Sequence, residues 1–289
     1  ELQGVMGKYF ALAQGFEDNV ANAISDHYLP IGIDSTVPKK NISYSISIVD
    51  KIDSLVGFFL INEKPTSSKD PLALRRSAIG LLRVVIENNL SIKLRYLINY
   101  AIRLYEQQGV QIQNANAEKE VLEFLKERMR NILRTKNIKN DIIEASVSSH
   151  IGDNFLDLYR KNIVMSKYIN KPVGKDVINS YKRASNIIEN IDDRITGSPD
   201  AVLFRQDEEK ALFEKINEIR KDFTVKDDRK NYDNLLIRMS ELKSFTDNFF
   251  DKVKVNDENK DIKNNRLELL KMYCNTFNNF VNFSKLDGL

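Results

Sequence analysis

Apolar residues recur every three to four positions through almost the whole of this sequence, and no segment alternates for long enough to support a sheet. The clearest stretch is 118–136, EKEVLEFLKERMRNILRTK. There Val121, Leu122, Leu125, Met129, Ile132 and Leu133 share one helical face. Residues 42–61 are as regular, and Ile42, Ile46, Val49, Ile52, Val56 and Leu60 are expected on a common buried side. Further helices are predicted over 1–16, 17–28, 90–108, 139–148, 153–169, 174–190, 207–221, 229–250 and 259–283. In 62–88, Asp70-Pro71 reads as a helix start with an aspartate N-cap and a proline at N1. Eleven glycines and six prolines are few and fall at the breaks. The expected fold class is therefore all-α, a multi-helix bundle.

Charge is informative by its placement. The net charge of +3 says little, but residues 124–140 carry six basic side chains against one acidic. Lys126, Arg130 and Arg134, at i, i+4 and i+8, form a basic ridge beside the apolar face of 118–136. Such a ridge is either a solvated face or a contact for an RNA backbone, which is bound through salt-dependent, sequence-independent attraction. In the helix after Asp70, Arg76 and Arg83 project from one flank and are expected to be free for RNA or a partner subunit. Arg75 points nearer the apolar stripe and needs an anion there. Asp53, expected on the apolar side of 42–61, is the candidate partner for a structural ion pair. Further on, Lys182, Arg183 and Asn186 fall within one arc of about 100° on a helix. Two cations and an amide suit phosphate neutralisation plus a hydrogen bond to a base edge; they also suit an ordinary polar face.

Several chemistries are excluded or weakened. One cysteine, Cys274, permits neither an intrachain disulfide nor a cysteine-based zinc site, and fits a reducing compartment. Apolar runs such as Val56–Ile61 are too short for a bilayer, so no membrane association is expected, nor is a signal peptide read at Glu1. There is no P-loop, no GxGxxG and no histidine–cysteine dyad. The two histidines, His27 and His150, lie far apart; His150, in SSHIGD, reads as a loop or capping residue.

Four blocks carry a resemblance: ELQGVMGKYFALAQG (1–15), AISDHYLP (23–30), SIVDKIDSLVGFF (47–59) and PTSSKDPLALRR (65–76). In order and spacing they resemble the beta subunit of bacterial heterotetrameric glycyl-tRNA synthetase, and the SKDPxALRR block is particular to it. The likeness continues more weakly through SYKRASNII (180–188), FFDKVKVN (249–256) and NNRLELL (264–270). It implies the C-terminal part of that subunit: an HD-like helical region over 1–110, a helical connecting region over 111–173, and over 174–289 an all-helical anticodon-binding domain like that of arginyl-tRNA synthetase. It implies tRNA(Gly) as partner, with Lys182, Arg183 and Asn186 in the anticodon domain, and an alpha subunit in an alpha2beta2 tetramer. ATP and Mg2+ would be used by the alpha subunit of this AMP-forming ligase. No aminoacylation active site and no cofactor are expected in this chain, and its location would be cytoplasmic. An HD-type metal site would require His27 and Asp50, but His27 is followed by Tyr28 rather than aspartate, leaving the ligand set incomplete. An HD phosphohydrolase and a non-catalytic docking scaffold are the alternatives.

Overall fold

The computed structural model describes residues 2–32, 35–66, 69–149, 153–189, 198–224 and 231–286, and within these every regular element is helical. The chain divides into two compact units, residues 1–136 with 152–159, and residues 137–151 with 160–289. The first unit thus runs past residue 110. The stretch expected to be a separate connecting region contributes the helix Ala117–Thr135 to the first unit and Asn140–Ser149 to the second, and its third helix, Phe155–Tyr168, is divided between them.

In the first unit, α1 (Val5–Ala13), α2 (Asp18–Asp26), α3 (Asn41–Leu60), α4 (Leu74–Glu87), α5 (Leu94–Gln107) and α6 (Ala117–Thr135) follow in order. Helix α3 is central and packs on α2, α4, α5 and α6, while α4 also packs on α6. The core is aliphatic: Leu55, Val56 and Leu60 of α3, Leu81, Leu82 and Val85 of α4, Leu94 and Ile98 of α5, and Leu125, Met129 and Leu133 of α6 are all buried. Burial of such side chains, at roughly 25 cal/mol per Å² of apolar surface, is what holds helices with weak individual caps together.

The expected face of α3 holds in its second half and fails in its first. Ile42, Ile46 and Val49 are exposed, and Ser43, Ser47 and Lys51 are buried in their place. Hydrogen bonds to the preceding segment account for this. Ser43 Oγ donates to Asp26 Oδ2 at 2.9 Å, Ser47 Oγ to Leu29 O at 2.8 Å, and Lys51 Nζ to His27 O at 2.9 Å and Ser47 Oγ at 2.8 Å. Asp53 is exposed, and its backbone carbonyl accepts from Tyr105 Oη at 3.2 Å. Tyr105 fits because position 57 is glycine: a Cβ there would lie 2.5 Å from the Tyr105 oxygen.

The start of α4 also differs from expectation. Asp70 does cap, accepting the backbone N–H of Leu74 at 2.9 Å and of Arg75 at 3.0 Å. However, Pro71 lies in a turn ahead of the helix, and Ala73 takes a left-handed φ of 54° to bring the chain round. A non-glycine residue in that region carries strain, which the two cap bonds offset.

The second unit contains α7 (Asn140–Ser149) and the end of α8 (Phe155–Tyr168), then α9 (Pro172–Ile188), α10 (Asp207–Asp222), α11 (Tyr232–Lys252) and α12 (Lys260–Asn278), with short 3-10 turns at Ala201–Leu203 and Phe283–Lys285. Helices α9 and α10 each pack on both α11 and α12. Proline at N1 starts α9, and Gly174 lets its first turn close on the end of α8; a Cβ at 174 would sit 2.2 Å from Tyr168 O. Tyr181, Tyr273, Phe277 and Phe283 form an aromatic core with centroid separations of 4.7–5.9 Å. Leu267, Leu270, Cys274 and Phe277 make the buried stripe of α12, and Val281, beyond the helix end, is buried as well.

The described residues 198–206, ahead of α10, are fastened to the unit. Asp200 N donates to Asn265 Oδ1 at 2.6 Å, Asn265 Nδ2 returns a bond to Asp200 O at 3.0 Å, and Phe204 is buried. Arg266 is structural. It is 4% exposed and donates to Glu209 Oε1 at 2.9 Å, Asp257 Oδ2 at 2.8 Å and Lys254 O at 2.8 Å. Among the described residues, no helix is long and apolar enough to cross a membrane.

Candidate nucleic-acid interface

A cation is available to a phosphate only where the fold has not already paired it, so each predicted contact is judged by its partners. On α6, Lys126 pairs with Glu123 at 2.8 Å, Arg130 with Glu127 at 3.3 Å, and Arg134 donates to Asn131 Oδ1 at 3.1 Å. The Lys126 and Arg130 side chains are about one-fifth exposed, whereas Arg134 is open. The ridge exists, but each of its three side chains is engaged within the helix.

On α4, Arg76 is exposed and pairs with no carboxylate among the described residues. Arg83, expected to be free, is not. Its guanidinium binds Glu87 Oε1 at 2.8 Å, Gly32 O at 3.1 Å and Ser35 O at 2.8 Å, fastening the loop before α3. The Asp53–Arg75 ion pair does not form, because Asp53 faces outward and the Arg75 guanidinium donates instead to Thr66 O. Arg75 thus stitches the 65–66 segment to the helix start.

On α9, Lys182, Arg183 and Asn186 share a face as predicted. Arg183 is engaged by α11: it pairs with Asp247 at 3.1 Å and Asp251 at 3.5 Å and lies 4.6 Å from the Phe250 ring centroid. It serves as a bridge between two helices. Helix periodicity places a side chain on a face; it does not reveal a carboxylate arriving from another helix 64 residues away.

A second cluster of cations in the second unit lies elsewhere. A cavity of about 780 Å³ is lined by Lys161 of α8, Asn217, Arg220, Lys221, Phe223 and Thr224 at the end of α10, Tyr232 at the start of α11, and Asn279 after α12. A second, of about 350 Å³, is lined by Ser198, Pro199, Arg220, Lys271, Met272, Asn275, Thr276 and Asn279. Arg220 and Asn279 wall both, and among the described residues neither lining includes a carboxylate. Arg220 and Lys221 are exposed and have no acidic partner among the described residues. Lys161 Nζ donates to Asn279 O at 3.3 Å and stands 6.0 Å from the ring centroids of Tyr232 and Phe280. Tyr232 is 4% exposed, and its buried Oη has no hydrogen-bond partner among the described residues. A polar ligand group or a water would satisfy that hydroxyl. Fixed cations, primary amides and aromatic edges in one open cleft are what an unstacked nucleotide requires: charge for phosphate, donors and acceptors for a base edge, and rings for its faces.

These residues come from four helices and were missed in the sequence because no local pattern joins them. One signal was present. Arg220 has Ile216, Asn217, Phe223 and Thr224 at its i±3 and i±4 positions, with no acid to absorb its charge, whereas Lys126 and Arg130 each have a glutamate there.

Metal chemistry has little support. The His27 ring contacts Ala23 O through Nδ1 at 3.2 Å and stacks on Tyr28 at 4.0 Å, while Asp50 is exposed. Nearby, the Lys51 ammonium is buried against His27 O, so a cation already occupies that interior position. Among the described residues no group of three or more histidines, cysteines or carboxylates could hold a metal ion. His150 lies outside the described residues. Cys274 is buried, and burial pushes its thiol pKa up to about 12, which leaves it a small hydrophobe rather than a nucleophile.

Known families match two successive parts of the chain. Residues 1–148 match the family described as glycyl-tRNA synthetase beta subunit, and residues 177–285 match the DALR anticodon binding domain. Among curated proteins, the chain is 37% identical over 286 residues to the glycine–tRNA ligase beta subunit of Rickettsia africae, and 38% identical over 286 residues to that of Rickettsia typhi. These alignments take in 99% of this chain and 41% of each relative, so the chain spans about two-fifths of their length. The helical fold of the described residues and these matches lead to one assignment: the chain belongs to the glycyl-tRNA synthetase beta subunit family.

Proposed function

We propose that this chain is the tRNA-recognising part of a glycine–tRNA ligase beta subunit. Its second unit would bind the anticodon of tRNA(Gly) in the cleft walled by Arg220 and Asn279. The observation that carries this reading is that cleft: an open, cation- and amide-lined site, without a carboxylate among its described lining residues, inside the region that matches an anticodon binding domain. Lys161, Arg220, Lys221 and Lys271 neutralise the backbone of a splayed loop; Asn217, Asn275 and Asn279 present hydrogen-bonding groups to base edges. Glycine activation, with ATP and Mg2+, belongs to a separate alpha subunit in an alpha2beta2 assembly in the cytoplasm. Binding energy gained at the anticodon is then spent on holding the distant 3′ end in place for chemistry done by another chain.

Affinity for tRNA(Gly) and for a non-cognate tRNA, each measured across a salt series, tests the reading. The expected result is tighter binding of tRNA(Gly), with Arg220→Gln weakening it about tenfold or more and lowering the salt slope. Equal affinity for both tRNAs, or an Arg220→Gln chain indistinguishable from the parent, would overturn it.

A further inference from the structure

Helix α5 carries an outward stripe that neither the core nor the cleft uses. Of its fourteen residues, Leu94 and Ile98 are buried, and Tyr105 seats against Gly57. At 100° per residue, Tyr96, Tyr100, Arg103 and Gln107 fall within about 60° of arc, with Lys93 and Asn99 on either margin. Tyr96 is 63% exposed and Tyr100 51%. Lys93, Arg103 and Gln107 are exposed as well. No acid falls within the stripe. Arg103 and Lys93 pair with no carboxylate among the described residues, and Arg103 Nε merely donates to Asn99 O at 3.3 Å. Arg95, off the stripe, is drawn aside to Glu118. The surface therefore presents two open phenol rings one helical turn apart, with Lys93 before them and Arg103 after, the Asn99 amide between and the Gln107 amide beyond.

We propose that this α5 stripe is a second RNA-binding surface, one that takes an unpaired strand of the same tRNA outside the anticodon loop. The inference rests on the tRNA role proposed above and adds a separate contact on the first unit. The composition selects the occupant. A protein partner would be met by an apolar centre, whereas this stripe is polar apart from its rings and carries uncompensated positive charge that a polyanion neutralises. The geometry selects the strand state. Tyr96 and Tyr100 are separated by four residues, a rise of about 6 Å along the axis. That spacing leaves room for roughly one base plane between rings, which an unstacked base can enter and a base held in a duplex cannot. Lys93 and Arg103 then lie where the flanking phosphates pass. Stacking of this kind tolerates any base, so the stripe would hold and orient a strand without reading its sequence.

The test uses this chain with three dye-labelled probes: a single-stranded oligoadenylate of about eight nucleotides, an RNA duplex of the same length, and the isolated anticodon hairpin of tRNA(Gly). Tyr96→Ala/Tyr100→Ala should weaken single-strand binding by roughly tenfold or more, while Tyr96→Phe/Tyr100→Phe, which keeps the rings, should bind like the parent. Arg103→Gln should lower the salt slope by about 0.7. Hairpin binding should be unchanged by these substitutions and weakened by Arg220→Gln, so failure of the stripe and failure of the cleft give different patterns. All three substituted α5 positions are on the surface, and unchanged circular-dichroism melting confirms folded variants. Single-strand binding untouched by the alanine pair, or duplex bound as tightly as single strand, would overturn the proposal. So would an alanine pair that binds RNA normally but no longer associates with the purified alpha subunit, because the stripe would then be a protein-docking surface.

Discussion

Removing the Arg266 side chain should destabilise the second unit by about 4 kcal/mol. Arg266 and Glu209 are 4% and 0% exposed, and they form the deepest ion pair among the described residues. Glu209 also caps its own helix: its Oε2 accepts the N–H groups of Arg205 and Gln206, both at 2.8 Å. In Arg266→Ala the carboxylate keeps those two neutral donors and loses its counter-charge, while Lys254 O loses its donor and the buried arginine methylenes leave a void. Breaking a buried pair from one side costs about 3–5 kcal/mol, most of it from the charge left behind. For a unit of this size that corresponds to a fall in Tm of roughly 8–16 °C. The assay is urea unfolding followed by circular dichroism, with amide exchange in α10 and α12 locating the transition. Arg266→Met/Glu209→Gln should recover most of the loss, since it removes both charges, fills the space and keeps an acceptor for the cap. A loss below about 1 kcal/mol for Arg266→Ala, or a double variant no more stable than the single, would refute the reasoning.

Other substitutions probe other contacts. Gly174→Ala should cost about 1–3 kcal/mol or more in the same unfolding assay, because the obstacle at 2.2 Å is backbone, Tyr168 O, and cannot swing aside. Lys51 should give the first unit an alkaline gain in stability. Burial lowers its pKa from 10.5 to about 8, with Asp50 opposing, so between those values the unfolded chain binds more protons than the folded one. Stability therefore rises with pH across that window and is unaffected by Lys51 below it; Lys51→Met should remove the rise in pH-dependent urea midpoints. Cys274 should resist iodoacetamide in the folded chain and react readily once denatured; rapid native labelling would contradict its burial and raised pKa.

The sequence was most legible where a single helix decides the outcome. The predicted 118–136, 207–221 and 229–250 appear as Ala117–Thr135, Asp207–Asp222 and Tyr232–Lys252, because apolar period and local breaks set helix extent. It was least legible where a side chain's fate depends on a distant one. Arg83 lost its freedom to two carbonyls of the 32–35 loop, Arg183 to aspartates on α11, and Arg75 to Thr66 rather than Asp53. The cleft was hidden for the same reason, since Lys161 and Asn279 meet across 118 positions. Periodicity records which face a residue occupies, while charge pairing between helices depends on packing that no local window contains.

The inverted first half of α3 has a consequence for how the first unit chooses its structure. Ile42, Ile46 and Val49 point out while Ser43, Ser47 and Lys51 point in, so hydrophobicity alone would turn the start of this helix about its axis. The observed rotational setting is held by three polar latches onto Asp26, His27 and Leu29. The arrangement is locally frustrated, trading apolar burial for a unique orientation. Replacing the latches with aliphatic residues would therefore free α3 to adopt a second rotation, giving a chain that is no less compact yet no longer has one structure.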